Sequence, residues 1–421
     1  MNEGRLFLDG VRAQYLRVAR EHTKIAEWVL DWLLKPQDTY KFNFPVRLTN
    51  GKIEVYQGVR VLHFRALGPG KGGIRFDPKI NEDETSALAM LMAWKMPIFD
   101  LPFSGAKGGV NCDPRQLSEG DLERITRRFA YELTIQNIIG PDIDIPGPDM
   151  GTDERVMNWI MDTYSGLKGQ KNPVHAVTTG KSVHLGGSPL RQESTGIGVA
   201  MAFEAYCGWK HLDPTNMRFI IQGFGNVGSV LAARLAQNKM EIVGLSDIDG
   251  AIYNPDGINM HDVIAHVRSQ KPLKDYPNSG HMTNQELLEM PCDVLAPCAT
   301  QLQITEDNAT RVRASIILEG ANGPTTPEGD AILRERGIEV IPDVLANGGG
   351  VVMSYAEWLQ NQRHERWSAS YEYQHLESYM HRASKTVFRR AENEKISLRD
   401  AALLIGIEKT VKAALSRDLW P

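Results

Sequence analysis

The sequence predicts an α/β protein with two domains around a cleft, and three observations support this class. The chain has 421 residues, more than one ordinary hydrophobic core accommodates. From Arg218, the segment RFIIQGFGNVGSVLAARLAQNKMEIVGLSD has the pattern of a strand, a tight glycine turn, a helix and a second strand. Three lysines, Lys71, Lys95 and Lys107, lie beside glycines or inside apolar runs, where lysine is uncommon.

Composition excludes several classes of protein. Hydrophobic residues make up 42% and charged residues 24%, an ordinary globular balance. The net charge of -5 argues against a nucleic-acid surface, which needs a basic excess. No run approaches the roughly 18 apolar residues of a membrane span, and the N-terminus lacks the pattern of a secretory signal. The four cysteines form no CxxC pair and no cluster with metal-ligand spacing, so we expect reduced thiols in a cytoplasmic protein and no metal site.

The elements of the first half begin with an amphipathic helix predicted over 10–34 from apolar residues at helical spacing. Strand-like residues follow from Lys52. A second helix is predicted to start after an Asn81 cap, with Glu84 three residues on, and to end at Pro97.

The Gly-, Pro- and Asp-rich segment GPDIDIPGPDMGTDE, from Gly140, is predicted to be an ordered loop that contributes to a site. A helix follows through Val156 and Tyr164. The glycine- and serine-rich segment GKSVHLGGSPLRQESTGIG then leads into the second half, which opens with a helix over 196–207.

The later apolar runs CDVLAPCA, ASIILEGAN and IEVIPDVL are typical of buried parallel strands. After NGGGVV the periodicity predicts helices to the end of the chain.

A dinucleotide-binding turn is indicated by Gly223, Gly225 and Gly228, which follow a strand and open a helix. Such glycines permit a tight turn and the close approach of a pyrophosphate, which binds at the helix N-terminus. Asp247 ends the next strand, where a carboxylate binds the adenosine ribose hydroxyls. No Arg or Lys stands beside it in the sequence to hold a 2′-phosphate. This favours NAD, although NADP stays possible.

A buried lysine has two common uses: a fixed positive charge for an anionic ligand, or an amine with a lowered pKa for proton transfer. Taken singly, Lys71 fits a surface turn and Lys95 fits a helix C-terminus that attracts cations. Taken with the nucleotide turn, the three lysines indicate a dehydrogenase that acts on a carboxylic acid.

Seven segments carry a resemblance to a known family: GPGKGGIRF, LPFSGAKGGV, GPDIDIPGPDMGT, GKSVHLGGS, GFGNVG, LEGAN and LANGGGVVMSYAEW. Their order resembles that of the glutamate dehydrogenases, within the wider glutamate/leucine/phenylalanine/valine dehydrogenase superfamily. The match runs from about residue 40 to the C-terminus.

The resemblance implies oxidative deamination of L-glutamate to 2-oxoglutarate and ammonia, with the reverse reductive amination. Lys107 matches the catalytic lysine of the family, and Asp149 matches the aspartate that moves protons to and from the substrate amine. Lys71 and Ser354 match residues that contact the substrate side-chain carboxylate. Lys95 matches the lysine that binds the α-carboxylate.

The resemblance also assigns cofactor contacts. Thr195 and Asn226 match nucleotide-contacting positions, and Asn322 and Asn347 resemble residues that border the nicotinamide and the substrate. The full predicted cofactor set is Thr195, Gly223, Gly225, Asn226, Val227, Gly228, Asp247, Asn322 and Asn347.

The resemblance further implies an architecture and partners. It predicts a substrate-binding and oligomerisation domain over 1–187, a Rossmann-like NAD-binding domain over 188–350, and C-terminal helices over 351–421 that return to the first domain. The family is usually hexameric, so we expect a homohexamer. The expected partners are small-molecule substrates, with neither nucleic acid nor a membrane.

Two alternatives stay open at this point. Dehydrogenases for branched-chain or aromatic amino acids carry an apolar residue at the position of Lys71 and lack the serine matched by Ser354. A catalytically silent regulatory subunit would keep the fold and rely on a paralogue for activity. Gly147 also stands where many family members have a different small residue, which could adjust substrate preference.

Overall fold

The computed structural model describes residues 3–169, 174–277 and 279–417. The described chain divides into two compact units. Unit 1 comprises the described residues within 1–191, 351–375 and 403–421, and unit 2 comprises those within 192–350 and 376–402. The prediction of helices as far as residue 421 runs beyond the described part, which ends at 417.

Unit 1 is built on a five-stranded mixed sheet. Its strands are β1 (Asp38–Arg47), β2 (Ile53–Leu62), β3 (Gly70–Phe76), β4 (Ser104–Val110) and β5 (Asp144–Pro148), in the order β1-β2-β4-β3-β5. Its helices before the crossover to unit 2 are α1 (Glu3–His22), α2 (Glu27–Leu33), α3 (Glu82–Ile98), α4 (Glu119–Ile135) and α5 (Glu154–Lys168). The three strands β4, β3 and β5 run parallel, whereas β1 and β2 are antiparallel.

The two faces of this sheet carry different side chains because residues alternate along a strand. On one face, Ile74 of β3 and Val110 of β4 join a buried core with Phe129 of α4 and Ile160 of α5. The opposite face meets α3, as the cluster that includes Ala89 shows. Residues of β3 and β4 that alternate with the core residues therefore project toward α3.

Gly105 of β4 allows α3 to approach this face closely. A Cβ at position 105 would lie 2.2 Å from the Ala89 carbonyl oxygen and 2.4 Å from the Ala93 nitrogen. Only glycine fits this contact without moving the helix, so a glycine-rich sequence forms a central strand despite its weak strand propensity.

Unit 2 contains a seven-stranded sheet in the order β12-β11-β10-β6-β7-β8-β9. The strands are β6 (Arg218–Gln222), β7 (Glu241–Asp247), β8 (Gly250–Tyr253), β9 (Gly280–Met282), β10 (Val294–Pro297), β11 (Ile316–Leu318) and β12 (Glu339–Ile341). The helices that follow α5 along the chain are α6 (Ser194–Lys210), α7 (Asn226–Gln237), α8 (Met260–Arg268), α9 (Asn284–Leu288), α10 (Pro327–Glu335) and α11 (Asp343–Ala346). The predicted parallel pairing of the three later apolar runs is confirmed, since β10, β11 and β12 are parallel neighbours.

The strand order of unit 2 contains a topological switch point. From β6 the chain places β7 on one side, while β10, β11 and β12 lie on the other. In open α/β sheets, ligands bind beyond the carboxyl ends of the strands at such a point. The glycine turn after β6 lies at this edge.

The last helices are α12 (Gly349–Arg363), α13 (Ala369–Glu394) and α14 (Leu398–Leu415). The prediction returned all of 351–421 to the first domain, whereas the structure assigns 376–402 to unit 2. Aromatic packing explains the difference, because Phe388 of α13 stacks on Trp209 and meets the edge of Tyr206 in α6. The three-part boundary scheme as a whole stays a prediction.

Several local predictions are corrected or confirmed. The single helix predicted over 10–34 is two helices, α1 and α2, since the Thr23 hydroxyl bonds back to the Ala19 carbonyl and accepts from the Ile25 amide. The loop predicted from Gly140 contains strand β5, which pairs with β3. The Asn81 cap is confirmed, because its side chain accepts a hydrogen bond from the Glu84 amide.

Among the helices of the described residues, none combines the length and apolar character needed to cross a bilayer.

The contact between Gly105 and α3 yields a test of the packing. We expect Gly105→Ala to lower the free energy of unfolding by about 1–3 kcal/mol, because the new methyl meets helix backbone. Gly10→Ala in α1 is the matched control, since a Cβ there meets no atom within 4 Å. Thermal denaturation should show a lower midpoint for Gly105→Ala and an unchanged or raised midpoint for Gly10→Ala. Equal midpoints in both variants would contradict the contact.

Candidate active site

Three parallel strands of unit 1 bring together Lys71, Lys107 and Asp149. Lys71 is on β3, Lys107 is on β4, and Asp149 directly follows β5. Both lysines alternate with core residues and therefore project from the face that α3 covers. Lys71 and Lys107 are only 3% and 5% exposed, so the sequence places two amines where water is largely excluded.

A chain of charged contacts surrounds Lys107. Its Nζ lies 2.5 Å from Asp149 Oδ2, and the same oxygen accepts from Arg75 Nε at 3.1 Å. Arg75 Nη1 in turn lies 2.6 Å from Glu84 Oε1 at the start of α3. Asp149 is thus held by two cations, and its carboxylate keeps about a fifth of its surface exposed.

Gly73 provides the space for this pair. A Cβ at position 73 would lie 2.7 Å from Asp149 Cβ and 3.1 Å from Lys107 Nζ. Any side chain at this strand position would therefore displace the lysine or the aspartate. This explains one glycine of the GPGKGGIRF segment by a contact in the site.

The electrostatics give Lys107 and Asp149 different protonation tendencies. Burial lowers the pKa of Lys107, and the neighbouring Arg75 and Arg60 lower it further, while Asp149 opposes the shift. For Asp149, burial favours the neutral acid, but Lys107 and Arg75 outweigh it and lower its pKa to about 2. The pair therefore combines an ionised carboxylate with an amine that loses its proton more readily than an ordinary lysine.

Lys71 lies in a pocket of polar groups that lack partners. Its amine makes no hydrogen bond or ion pair with any described residue. The buried Thr179 hydroxyl likewise has no hydrogen-bond partner within the described chain. A Cβ at Gly147 would lie 2.8 Å from Lys71 Nζ and 3.2 Å from Thr179 Oγ1, so this glycine opens the space between them. Two buried donors without an acceptor predict an anionic ligand at this point.

The charge around Lys71 is predominantly positive. Burial lowers its pKa to about 7, and Arg191 and Arg60 lower it, whereas Glu357 and Asp144 act in the opposite direction. The amine is therefore close to half-protonated at neutral pH. An arriving carboxylate would restore its full charge.

Ser354 on α12 contacts Arg191, one of the cations that lower the pKa of Lys71. Arg191 Nε donates to Ser354 Oγ at 3.1 Å, and Ser354 is 2% exposed. One helical turn further on, Glu357 forms an ion pair with Lys181 at 2.7 Å, with both side chains fully buried. Glu357 also accepts from the Gly180 and Ser188 amides, so α12 fixes the loop that leads to Arg191.

A second buried ion pair connects three strands of the unit 1 sheet. Arg60 of β2 contacts both oxygens of Asp144 on β5, at 2.6 and 2.5 Å, and its Nη1 reaches the Gly72 and Gly73 carbonyls of β3 at 3.3 Å. One guanidinium thereby connects β2, β3 and β5. Its charge is satisfied by Asp144, yet it still disfavours protonation of Lys71.

Lys95 is 4% exposed and stands near the end of α3. It follows Glu84 by eleven residues, about three helical turns, so the two project from the same side of the helix. Glu84 contacts Arg75 on the lysine-bearing face of the sheet. Lys95 is therefore on the side of α3 that faces the sheet.

In unit 2, the glycine turn has the geometry that a pyrophosphate requires. Gly223 has φ +94°, and a Cβ there would lie 2.7 Å from Ala299. A Cβ at Gly228 would meet the Gly223 carbonyl at 1.9 Å, whereas a Cβ at Gly225 would meet nothing within 4 Å. Gly225 caps α7 without a side-chain hydrogen bond, so the helix begins at Asn226 with amides available to an anion.

The other predicted cofactor residues surround this turn or the neighbouring strand ends. Thr195 is in the first turn of α6, where the adjacent Gly196 contacts Val227 and Val230 of α7. Asp247 ends β7, as predicted, and its Oδ1 accepts from the Asp249 amide at 2.8 Å.

A lysine distant in the sequence lies beside the hairpin that follows Asp247. A Cβ at Gly250, which pairs with Asp247, would lie 3.6 Å from Lys274 Cβ.

Asn322 and Asn347 are brought together from strand ends 25 residues apart. Asn347 Nδ2 lies 3.0 Å from Asn322 Oδ1 and also donates to the Gly320 and Ala321 carbonyls. The two asparagines thus form one hydrogen-bonded unit at the carboxyl edge of the sheet.

The sequence analysis missed Arg60, Arg75, Thr179 and Arg191. Arg75 is the last residue but one of GPGKGGIRF and could have been found from its spacing to Lys71, since residues four apart on a strand share a face. For the other three, nothing in the neighbouring sequence indicated their contacts. Their importance depends on contacts between distant parts of the chain.

Two family models match the chain. Residues 36–166 match "Glu/Leu/Phe/Val dehydrogenase, dimerisation domain", and 186–417 match "Glutamate/Leucine/Phenylalanine/Valine dehydrogenase".

Similar proteins are known by name and by structure. A glutamate dehydrogenase of Thermotoga maritima is 43% identical over 390 residues, covering 92% of this chain and 93% of the relative. An NAD-specific glutamate dehydrogenase of Staphylococcus aureus is 41% identical, covering 93% of each chain. The hetero-hexameric glutamate dehydrogenase of Thermus thermophilus, solved in a Leu-bound form, superposes with a TM-score of 0.92 at 35% identity and 98% coverage of both chains.

The unpaired Lys71 amine makes stability depend on pH in a defined direction. Its pKa of about 7 in the folded protein is below the value of about 10.4 in an unfolded chain, so the unfolded chain binds more protons between these values. The buried lysine therefore lowers the free energy of unfolding most at or below about pH 7, and this effect disappears as the pH approaches about 10.4.

We expect Lys71→Met to raise the free energy of unfolding by about 1–4 kcal/mol near neutral pH, with a gain that shrinks at alkaline pH. Thermal denaturation across this pH range measures the effect, with Lys52→Met as a control because Lys52 is exposed and paired with Glu54. A lower midpoint for Lys71→Met at neutral pH would show that the amine is paired in the folded state.

Proposed function

We propose that this chain, which belongs to the glutamate/leucine/phenylalanine/valine dehydrogenase family, interconverts L-glutamate with 2-oxoglutarate and ammonia by using NAD. Family membership follows from models that match both halves of the chain and from 41–43% identity over most of its length. The relatives' names, glutamate dehydrogenase and NAD-specific glutamate dehydrogenase, support the same substrate and cofactor here. The pocket of Lys71 carries the substrate assignment within the family.

The side-chain carboxylate of glutamate fits the unpaired donors in this pocket. Lys71 offers a buried ammonium once protonated, and Thr179 offers a hydroxyl that lacks an acceptor. Arg191 and Ser354 supply further donors beside it. An apolar side chain would leave Lys71 and Thr179 without partners, at a cost of several kcal/mol that a binding site for leucine or phenylalanine avoids.

Lys95 is assigned to the α-carboxylate of the substrate. Its support is the near-complete burial of a lysine on the side of α3 that faces the sheet, together with the family resemblance. Two anchored carboxylates fix the orientation of a five-carbon diacid, which places its α-carbon reproducibly for hydride transfer.

Lys107 and Asp149 are assigned to the proton transfers. Deamination removes a proton from the substrate amine and a hydride from its α-carbon, which a bound nicotinamide would accept. Water then adds to the resulting imine, and ammonia leaves. Asp149 is ionised at neutral pH and can accept the amine proton. Lys107 has a lowered pKa and can take a proton from the attacking water, then return it as the carbon–nitrogen bond breaks.

NAD fits the residues present in unit 2. Gly225 leaves room for a pyrophosphate at the uncapped start of α7, and Asp247 ends β7 where ribose hydroxyls bind. A nicotinamide bound there would supply the hydride transfer to and from the α-carbon of the substrate. The carboxylate of Asp247 disfavours a 2′-phosphate, which is the ground for NAD over NADP.

A homohexamer in the cytoplasm is the assembly and location we assign. The edge strand β1 has one unpaired side, and Val55 and Ile53 on its partner β2 are 70% and 55% exposed. Such an edge and such apolar residues favour contact with another copy. A hexamer is also the assembly named for the Thermus thermophilus enzyme, although that one is hetero-hexameric. The four cysteines are free and buried, as in a reducing compartment.

The experiment that tests this function follows nicotinamide absorbance on the purified protein with ammonia. It compares 2-oxoglutarate with 2-oxoisocaproate, each with NADH and with NADPH. We expect oxidation of NADH with 2-oxoglutarate alone. Turnover with NADPH would overturn the Asp247 argument, and preference for 2-oxoisocaproate would overturn the Lys71 argument. Absence of turnover in a protein that binds NADH would favour the regulatory-subunit alternative.

Substrate choice should follow Lys71. We expect Lys71→Leu to lower kcat/KM for 2-oxoglutarate by about 10²-fold or more, because a carboxylate loses its charged partner. The kcat/KM for 2-oxoisocaproate should stay equal or rise. Lys79→Leu, an exposed lysine after β3, is the matched control. Wild-type kinetics of Lys71→Leu on 2-oxoglutarate would refute the assignment.

Proton transfer should depend on the Lys107–Asp149 pair. We expect Asp149→Asn to lower kcat by about 10²–10⁴-fold, the usual contribution of a general acid or base. Since Asp149 raises the pKa of Lys107, its removal should also move the acidic limb of the kcat/KM profile to lower pH. Loss of rate without any displacement of the profile would show that Asp149 acts only by holding structure.

A further inference from the structure

We propose that Arg399, in the last helix of the chain, is a positioning residue that fixes the nicotinamide end of the cofactor site through Glu319 and Asp343. Arg399 lies outside the predicted cofactor set and is separated from the glycine turn by more than 170 residues in the sequence. The inference rests on the proposed function, because it requires that Asn322 and Asn347 contact a bound nicotinamide cofactor.

The guanidinium of Arg399 is buried among carboxylates. It is 5% exposed, and two of its nitrogens bind the two oxygens of Glu319 at 2.7 and 2.9 Å. Its Nε binds Asp330 at 2.9 Å, and its Nη1 lies 3.5 Å from Asp343. Three carboxyl groups around one guanidinium form a buried polar network, and such a network is costly unless its members stay paired.

Two of these carboxylates stand at the cofactor edge of the sheet. Glu319 directly follows β11, and Asp343 follows β12 after one intervening residue. Both strands run parallel to β10 and β6, so their carboxyl ends share an edge with the glycine turn. This is the edge at which the topological switch point predicts ligand binding.

Glu319 and Asp343 hold the two segments that carry the asparagines. Glu319 Oε2 accepts from the Asp343 amide at 2.9 Å, and Asp343 Oδ2 accepts from the Gly323 amide at 2.8 Å. Gly323 follows Asn322, and Asp343 opens the short helix α11 that Asn347 closes. The loop and the short helix are thus tied together on one side by these carboxylates and on the other by the Asn347–Asn322 bond.

The guanidinium of Arg399 offsets the negative charge of Glu319 and Asp343. Burial raises the pKa of Glu319, Asp343 raises it further, and Arg399 lowers it. Without the guanidinium, two buried carboxylates would face each other across a shared backbone contact. We expect the repulsion to separate the loop from α11 and to break the asparagine pair, which weakens cofactor binding while unit 1 keeps its substrate pocket.

The test measures NADH binding by its fluorescence with the purified full-length protein. We expect Arg399→Lys, whose single ammonium cannot contact Glu319 bidentately and Asp343 at the same time, to raise the Kd for NADH by about tenfold, the effect of one lost charged hydrogen bond. Arg334→Gln is the matched control, because this exposed arginine on α10 also faces α14 through Asp400 without contacting the asparagine segments. Its Kd should equal that of the wild type.

A double-mutant cycle separates positioning from general destabilisation. We expect the Kd effects of Arg399→Lys and Asn347→Ala to be less than additive, because both act on the same contact with NADH. Additive effects, or an unchanged Kd in Arg399→Lys, would overturn the inference. If Arg399→Lys does not fold, Glu319→Gln replaces it in the same cycle, because the amide also loses the bidentate contact with Arg399, and its effect on the Kd should again be less than additive with that of Asn347→Ala.

Failure of the inference can be told apart from failure of the proposed function. A wild-type protein that does not bind NADH would overturn the proposed function itself. A wild-type protein that binds NADH and turns over 2-oxoglutarate, with a normal Kd in Arg399→Lys, would overturn only the role of Arg399. We further expect the KM for 2-oxoglutarate to change less than twofold in Arg399→Lys, since its pocket belongs to unit 1.

Discussion

The burial of the Lys71 and Lys107 amines on one face of a sheet is the constraint on which the rest of unit 1 depends. Each amine must be compensated, neutralised or left for a ligand, because an isolated buried charge costs several kcal/mol. Lys107 is compensated by Asp149, which Arg75 and Glu84 hold in turn. Lys71 has no such partner among the described residues, so its burial lowers its pKa. In the proposed function, the paired lysine takes part in the proton transfers and the unpaired lysine binds an anion.

Glycine makes this arrangement possible, because each amine needs free volume as well as charge. Gly73 leaves space for the Lys107–Asp149 pair, and Gly147 leaves space beside Lys71. Their absent side chains weaken the strands, and the ion pair of Arg60 with Asp144 compensates by connecting β2, β3 and β5. Charge also organises the cofactor edge of unit 2, where Arg399 joins segments whose own carboxylates repel each other.

Much of this could be predicted from sequence because the signals are local. The glycine turn before α7, the Asn81 cap and the parallel apolar runs each depend on neighbouring residues, and all are present in the structure. The prediction of a continuous loop from Gly140 is wrong, because pairing with β3 overrides the weak strand propensity of this segment. Thr179, Arg191 and Arg399 gave no signal, since each gains its meaning from a partner far along the chain. The lysines were found as a set, but which of them lacks a partner is visible only in three dimensions.

We propose that the Lys71 amine, half-protonated near pH 7 and largely neutral at about pH 8, binds the second carboxylate of a diacid. Calorimetric titration with glutarate, an unreactive five-carbon diacid, tests it in buffers of different ionisation enthalpy at about pH 8, one unit above the pKa of about 7. The account predicts uptake of roughly one proton on binding, because the carboxylate raises the pKa of the amine above the working pH. The same titration of Lys71→Met should show no uptake attributable to this site. Binding of glutarate to the wild type without any dependence on the buffer would contradict the account.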